Sequence, residues 1–400
     1  MSVYTRILAV PGIAMVVFAT LIGRLPIGIS GLAILLYVRE VTGSFASAGI
    51  ATGALALGSA VGAPFQGRLV DRRGLHMLLP LAFVHAVGLV LVWVLGAADA
   101  PIAFIVAATF VTGLAIPPLS SVLRSRWPFL LEDNPEMLKG AYALDSVLIG
   151  LVFIAGPLAT TAIVAVSGPQ FALAVSAGLV LSGTALLLSK LRGKPGPAGP
   201  QAGSSALGLG PLAAPGLRTL VLASLPVGFC FGSLEVVIPA FSDAEGSREL
   251  SGVLLAVWSA SSAVAGLAYG ARPPGTALTD LHIRFTLLLP LALIPLLAAT
   301  SPLTMAFLVI LAGIPVAPLV ATRNQLVQVV TLPGTAMEAF TWPLMALVSG
   351  VSLGAAVAGA LTEEYSWSAG VLAAIVVGSA GAALVVARRH TLAPPVAVQS

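Results

Sequence analysis

Four hundred residues would make two or three soluble domains by length alone, but 58% of this chain is hydrophobic and only 8% charged, against about 25% charged in an ordinary soluble domain. So little polar surface excludes a water-facing exterior and places the chain among polytopic membrane proteins. The formal net charge of +4 is then read by position rather than by sum, so the expected partner is a lipid bilayer and no nucleic acid.

A helix needs roughly 20 apolar residues to cross about 30 Å of hydrocarbon. Twelve stretches qualify. In the first half they run over about 8 to 38, 45 to 66, 77 to 97, 101 to 123, 140 to 166 and 170 to 191. In the second they run over about 218 to 242, 249 to 271, 283 to 300, 302 to 323, 338 to 361 and 366 to 388. The first is too long for the apolar core of a secretory signal, roughly 7 to 15 residues, and is read as a retained helix. Of the 19 basic residues all but Arg24, Arg39 and Arg248 fall on one side when the N-terminus is placed inside. Both termini are therefore expected in the cytoplasm of a multi-pass cytoplasmic-membrane protein.

Between the second and third stretches stands Gly67-Arg68-Leu69-Val70-Asp71-Arg72-Arg73-Gly74. Three cations and a carboxylate cannot rest in hydrocarbon, so the patch is expected as a rigid boundary loop that turns at its glycines. Residues 192 to 217 are rich in Gly, Pro and Ser and read as a linker. The expected domains are residues 1–191, a cytoplasmic linker 192–217, and residues 218–400.

The two halves repeat weakly. Leu25-Pro26-Ile27-Gly28 returns 200 positions later as Leu225-Pro226-Val227-Gly228, and Gly113, Pro118 and Leu119 return as Gly313, Pro318 and Leu319. Gly156 matches Gly354 at a slightly different offset. Duplicated halves are how alternating-access transporters are built.

With this repeat, the basic linker and the Gly67 to Gly74 patch, the chain resembles the major facilitator superfamily of secondary transporters. Gly67, Leu69, Asp71, Arg72 and Gly74 fit the superfamily's loop signature, whereas Leu75 and His76 stand where two basic residues are usual. The resemblance implies an all-α membrane protein with twelve transmembrane helices in two pseudo-symmetric six-helix bundles. It also implies that Gly67, Asp71, Arg72 and Gly74 form a conformational latch. On helix 5, Gly150 and the Gly156-Pro157 pair resemble the antiporter motif of drug exporters, although Leu158, Ala159 and Thr160 replace the glycines expected next.

Several residues stand out on chemical grounds. Arg24 lies about 22 Å from Arg39 and about 27 Å from Arg6 along a helix. Its guanidinium cannot reach either interface, so it must meet a cavity or a partner inside the protein. Asp145, near the start of helix 5, either neutralises Arg24, directly or through water, or faces the interface. Glu235 sits on helix 7 about 25 Å from Arg218 and about 12 Å short of Asp243, a depth at which a carboxyl can take up and release protons during transport; an outer-vestibule polar residue is the alternative. Trp258 lies deep enough on helix 8 to line a cavity, whereas Trp93, Trp127, Trp342 and Trp367 read as interfacial belt residues. Pro26, Gly28, Pro117 and Pro118, with Pro226, Gly228, Pro315 and Pro318, are expected to interrupt helices 1, 4, 7 and 10.

Cys230 is the only cysteine and is read as packing. His76, His85, His282 and His390 lack metal-ligand spacing, and no phosphate-cradling loop is present, so neither a metal nor a cofactor nor enzymatic catalysis is expected. The expected activity is efflux of a small organic compound by a monomeric, proton-coupled carrier. Import of a metabolite is the nearest alternative, and a non-transporting receptor or the permease subunit of a larger assembly is the alternative of another class.

Overall fold

The computed structural model describes residues 3–131, 135–192, 210–270, 277–331 and 336–392, and every regular element among them is helical. In hydrocarbon a backbone must satisfy its own polar groups, which a helix does within one segment. Twelve segments among the described residues are long and apolar enough to cross a bilayer. Each overlaps one of the twelve expected stretches.

Two compact units emerge, Met1–Thr42 with Leu57–Ser204, and Gly43–Ala56 with Ser205–Ser400. In chain order the first half holds α1 (Val3–Ala9), α2 (Ile13–Thr42), α3 (Phe45–Arg73), α4 (Leu78–Ala97), α5 (Ile102–Leu114), α6 (Leu119–Leu130), α7 (Pro135–Ser167) and α8 (Pro169–Leu191). The second half holds α9 (Pro215–Ala244), α10 (Ser251–Gly270), α11 (Leu278–Leu293), α12 (Pro302–Gly313), α13 (Val316–Val330), α14 (Ala336–Glu364) and α15 (Trp367–Ala387). Helix α3 contributes to both units, its first part joining the second unit and its remainder the first. Most of the expected linker, residues 193–209, lies outside the described residues.

The units share a plan. In the first, α2 packs between α7 and α8. A side chain on Gly28 would strike the Val152 carbonyl, and one on Gly156 would come within 2.6 Å of the Gly28 Cα, so the two helices cross backbone to backbone. Ser30 and Ser176 hydroxyls pair at 2.8 Å across the α2–α8 contact. In the second unit α9 packs between α14 and α15. There Gly228 abuts the Leu347 carbonyl and Gly354 the Phe229 carbonyl. The sequence matches of Gly28 with Gly228 and of Gly156 with Gly354 are thus matches of close helix crossings.

The first part of α3 is seated against α14. Ser352 donates to the Gly53 carbonyl at 2.7 Å, and Gly49 faces the Ala355 carbonyl closely. At the start of the helix, Glu363 accepts from the Ser44 hydroxyl and from the Ala46 amide at 2.9 Å. That amide is one of the donors a helix leaves unpaired at its N-terminus, and an anion there is favoured by the helix dipole.

Several expectations are corrected. The charged patch is not a loop: α3 runs through Gly67 to Arg73, and only Gly74, with φ at 92°, makes the turn. A run of polar residues at a helix end keeps its backbone bonds while its side chains reach water, so no loop is required. Pro26 and Pro226 lie inside the continuous helices α2 and α9, so helices 1 and 7 are not interrupted there. Helices 4 and 10 are interrupted as expected, between α5 and α6 at Ala115–Pro118 and between α12 and α13 around Pro315, where the proline removes a donor. The first span starts at Ile13 rather than near residue 8, because Pro11 and Gly12, with φ at 82°, separate it from α1. Trp127 is fully buried among Ile7, Leu123 and Leu187 instead of lying in an interfacial belt.

Candidate functional site

Arg24 and Asp145 meet inside the first unit. The former is carried by the middle of α2 and the latter by the first third of α7, the two helices that the Gly28–Gly156 crossing brings together. Arg24 Nη1 donates to Asp145 Oδ1 at 2.6 Å, with both side chains 1% exposed. Of the open readings for Asp145, the structure shows the direct one. Its second oxygen, Oδ2, accepts from Arg124 Nε at 2.6 Å, and that arginine is half exposed on α6.

One carboxylate therefore serves two guanidiniums. Arg24 Nε and Nη2 are buried without a hydrogen-bond partner in the described structure. An arginine stays charged at any accessible pH, so the cluster of Arg24, Asp145 and Arg124 carries one net positive charge and presents two unused donors. Chemically it can receive one anionic or acceptor group.

Arg124 escaped notice in the sequence because it was counted among loop cations. Its signal was available: it stands just after the expected fourth stretch, as Asp145 stands near the start of the fifth. Arg323 was counted in the same way, yet it lies in α13 within the candidate span Pro302–Val330 and is only 8% exposed.

In the second unit, Glu235 lies on α9 one turn beyond Phe231, so the two share a face. These are the partly open positions in a stretch otherwise buried from Val227 to Phe241. Phe231 meets Trp258 of α10 edge to face, ring centroids 6.0 Å apart. The Trp258 indole nitrogen is buried and unpartnered. Glu235 makes no ion pair or hydrogen bond among the described residues. This helix face carries an acid beside an aromatic pair.

The family profile described as Major Facilitator Superfamily matches residues 16–289. The chain belongs to that superfamily. Among solved structures, a mutant form of the nucleoside transporter NupG is similar to it with a TM-score of 0.75 at 15% identity, covering 94% of this chain and 99% of that one. A bacterial homologue of the human lysosomal transporter Spinster, inward-facing and occupied, matches with a TM-score of 0.68 at 15% identity, covering 94% and 96%. The NupG structure without the mutation gives 0.69 at 14%, covering 94% and 98%. No curated protein matches the sequence.

Within this superfamily frame the remaining sequence-derived positions separate clearly. Gly156 is in tight contact with Gly28, Pro157 lies inside α7, and Gly150 has open space around it. Gly67 is likewise uncrowded, and Arg72 is exposed. The side chains of Arg68 and Asp71 lie outside the described residues. Among the described residues no group of His, Cys, Asp and Glu is placed to hold a metal.

Proposed function

We propose that this superfamily transporter exports a small organic compound across the cytoplasmic membrane in exchange for protons, acting as a monomer and alternating access between its two six-helix halves. The observation that carries the coupling is Glu235: an acid within a membrane span, on a partly open helix face, with no cation beside it among the described residues. A carboxyl so placed changes charge whenever it gains or loses a proton, and that is the chemistry proton coupling needs. Arg24 supports an anionic or acceptor group on the substrate, since two of its donors are unused. Trp258 and Phe231 supply an aromatic wall. Export rather than import rests on the resemblance of Gly150, Gly156 and Pro157 to the exporter motif, and the latch role of Gly67, Asp71, Arg72 and Gly74 rests on the same kinship.

The test is transport by everted vesicles from cells overexpressing the protein. A panel of toxic cations, anions and neutral compounds is first screened for growth protection. A protective compound is then added to vesicles with an acidic interior and a pH-sensitive dye. The expected result is proton release on addition of compound, lost in Glu235→Gln at equal protein level. Uptake that persists after the gradient is collapsed would end the coupling proposal, and compound moving only in the opposite direction would replace export by import.

A further inference from the structure

Helix α10 is closely packed only over its first turns. Ser251, Gly252 and Leu254 to Ala256 are buried, but from Val257 to Gly270 only Trp258 is, and Val264 is 66% exposed. This second stretch is one wall of an apolar groove, whose lining includes Val257, Val264 and Ala268 of α10, Phe285 of α11, and Ile310 and Ile314 of α12. Among the described residues none of α9 lines it, so the groove is separate from the Glu235 face.

Two hydroxyls stand on its walls, and both donate within the protein. Ser261 gives its hydrogen to the Trp258 carbonyl at 2.8 Å, and Tyr269 gives its own to the Gln325 side-chain oxygen at 3.4 Å. A polar solute would leave its hydrogen bonds unmade along such walls, whereas hydrocarbon gives up none. From Val257 to Tyr269 the groove follows the helix axis for about 18 Å, close to one leaflet's share of a hydrocarbon core about 30 Å thick. A compact molecule would occupy part of that length, and an extended chain fits all of it.

The Tyr269 end lies at the depth where a lipid changes from chain to headgroup. Tyr269 stands one residue before the end of the candidate span Arg248–Gly270. Its ring meets Phe285 edge to face with centroids 5.8 Å apart, as aromatic side chains gather at a membrane interface. Arg284, next to Phe285, is exposed, and a side chain of that length carries its charge to the interface while its stem stays in hydrocarbon. Cations placed between spanning helices attract anionic headgroups. We propose that this groove is a phospholipid site, with one acyl chain lying along α10 from Val257 to Tyr269 and the phosphate held at the Arg284 end. The site is built wholly from α10 to α13 of the second unit, and it stands whether or not transport is proton-coupled.

Native mass spectrometry of the delipidated full-length protein in detergent provides the test. Phosphatidylglycerol is titrated beside diacylglycerol with the same chains and beside inorganic phosphate. Wild type should bind one phosphatidylglycerol saturably, diacylglycerol more weakly and inorganic phosphate not at all. Ala268→Trp fills the groove from an exposed lining position and should raise the half-saturating phosphatidylglycerol concentration about tenfold or more. Leu267→Trp, at a neighbouring position 69% exposed and outside the lining, should leave it unchanged. Arg284→Gln should bring phosphatidylglycerol down to the level of diacylglycerol. Equal lipid binding by wild type and Ala268→Trp, or an equal loss in Leu267→Trp, overturns the site. So does an Ala268→Trp protein that keeps the lipid but no longer binds the uncharged dye N-phenyl-1-naphthylamine, since the groove would then take a compound instead. Should Ala268→Trp fail to fold, Val264→Trp is read in its place by the same outcomes.

Discussion

Arg24 Nη1 lies 2.6 Å from Asp145 Oδ1, and neither side chain is more than 1% exposed. A pair so deeply buried contributes less through its own attraction than through the harm done when one member is left alone. Asp145→Ala should therefore lower stability by about 3 to 5 kcal/mol, because it strands Arg24 with no carboxylate. The double variant Arg24→Met with Asp145→Leu should recover most of that loss while transport stays absent. Tm values for the three proteins check the first statement, and vesicle transport of a protective compound checks the second. A double variant that transports like wild type would reduce the pair to a packing element.

Arg124 tests a different regime. It holds the same carboxylate at the same distance, but it is 53% exposed, so water and salt screen it. Arg124→Gln should change stability by no more than about 1 kcal/mol, far less than Asp145→Ala. A loss as large as that of Asp145→Ala, measured by Tm in the same detergent, would mean that both arginines are needed to hold the buried carboxylate.

The antiporter-like motif divides into one packing glycine and one open one. Gly156 meets the Gly28 backbone, so Gly156→Ala should force α2 and α7 apart and cost about 1 to 3 kcal/mol as overpacking. Nothing lies within 4 Å of where a Cβ on Gly150 would stand, and there alanine is favoured in a helix by up to about 1 kcal/mol. Unfolding midpoints of the two variants check the contrast. Impaired transport by a stable Gly150→Ala protein would show that its open space is used by substrate or by motion.

How much of this was legible beforehand depends on the reach of each interaction. Span count and the helix 4 and helix 10 breaks follow from hydropathy and from proline's missing donor, which act locally, and they were read correctly. The tight Gly28–Gly156 and Gly228–Leu347 crossings were visible only as repeat matches, since a glycine does not announce what packs against it. Arg24 was identified as needing a partner because no interface lies within its reach, and Asp145 was named as one candidate. Arg124 and Arg323 were missed for a common reason: charge near a predicted span end was assigned to water. Helices α6 and α13 instead continue past those ends and carry their cations with them, as α3 carries the Gly67 to Arg73 patch.

That patch supplies a paired prediction. Gly74 holds φ at 92° and ψ at 172°, a conformation open almost only to glycine that costs an L-residue about 1 to 3 kcal/mol, whereas Gly67 is helical with nothing within 4 Å of where a Cβ would stand. Gly74→Ala should be destabilising by about that amount, and Gly67→Ala should be neutral or stabilising by about 0.4 to 1 kcal/mol. Both glycines fit the superfamily signature, so transport assays on the two variants separate what the backbone requires from what the latch requires. Loss of transport in a fully stable Gly67→Ala would assign Gly67 to the latch.

Glu363 provides the last test, at the N-terminus of α3. Its carboxylate accepts from Ser44 and from the Ala46 amide, while the Ser44 hydroxyl also accepts from the Ser47 amide at 3.0 Å. The helix start is therefore capped from within by Ser44 and from α14 by Glu363. Glu363→Gln keeps the size and an acceptor but removes the charge that favours the dipole. It should weaken the cap by about 0.3 to 1 kcal/mol. Ser44→Ala removes the local cap and should cost about 0.5 to 2 kcal/mol. Because both act on the same amide cluster, the double variant should cost less than the two single losses added together. Hydrogen exchange at the amides of residues 45 to 48 is the measurement. Faster exchange confined to that turn in each single variant is expected, and unchanged exchange in Glu363→Gln would show that Ser44 alone caps the helix.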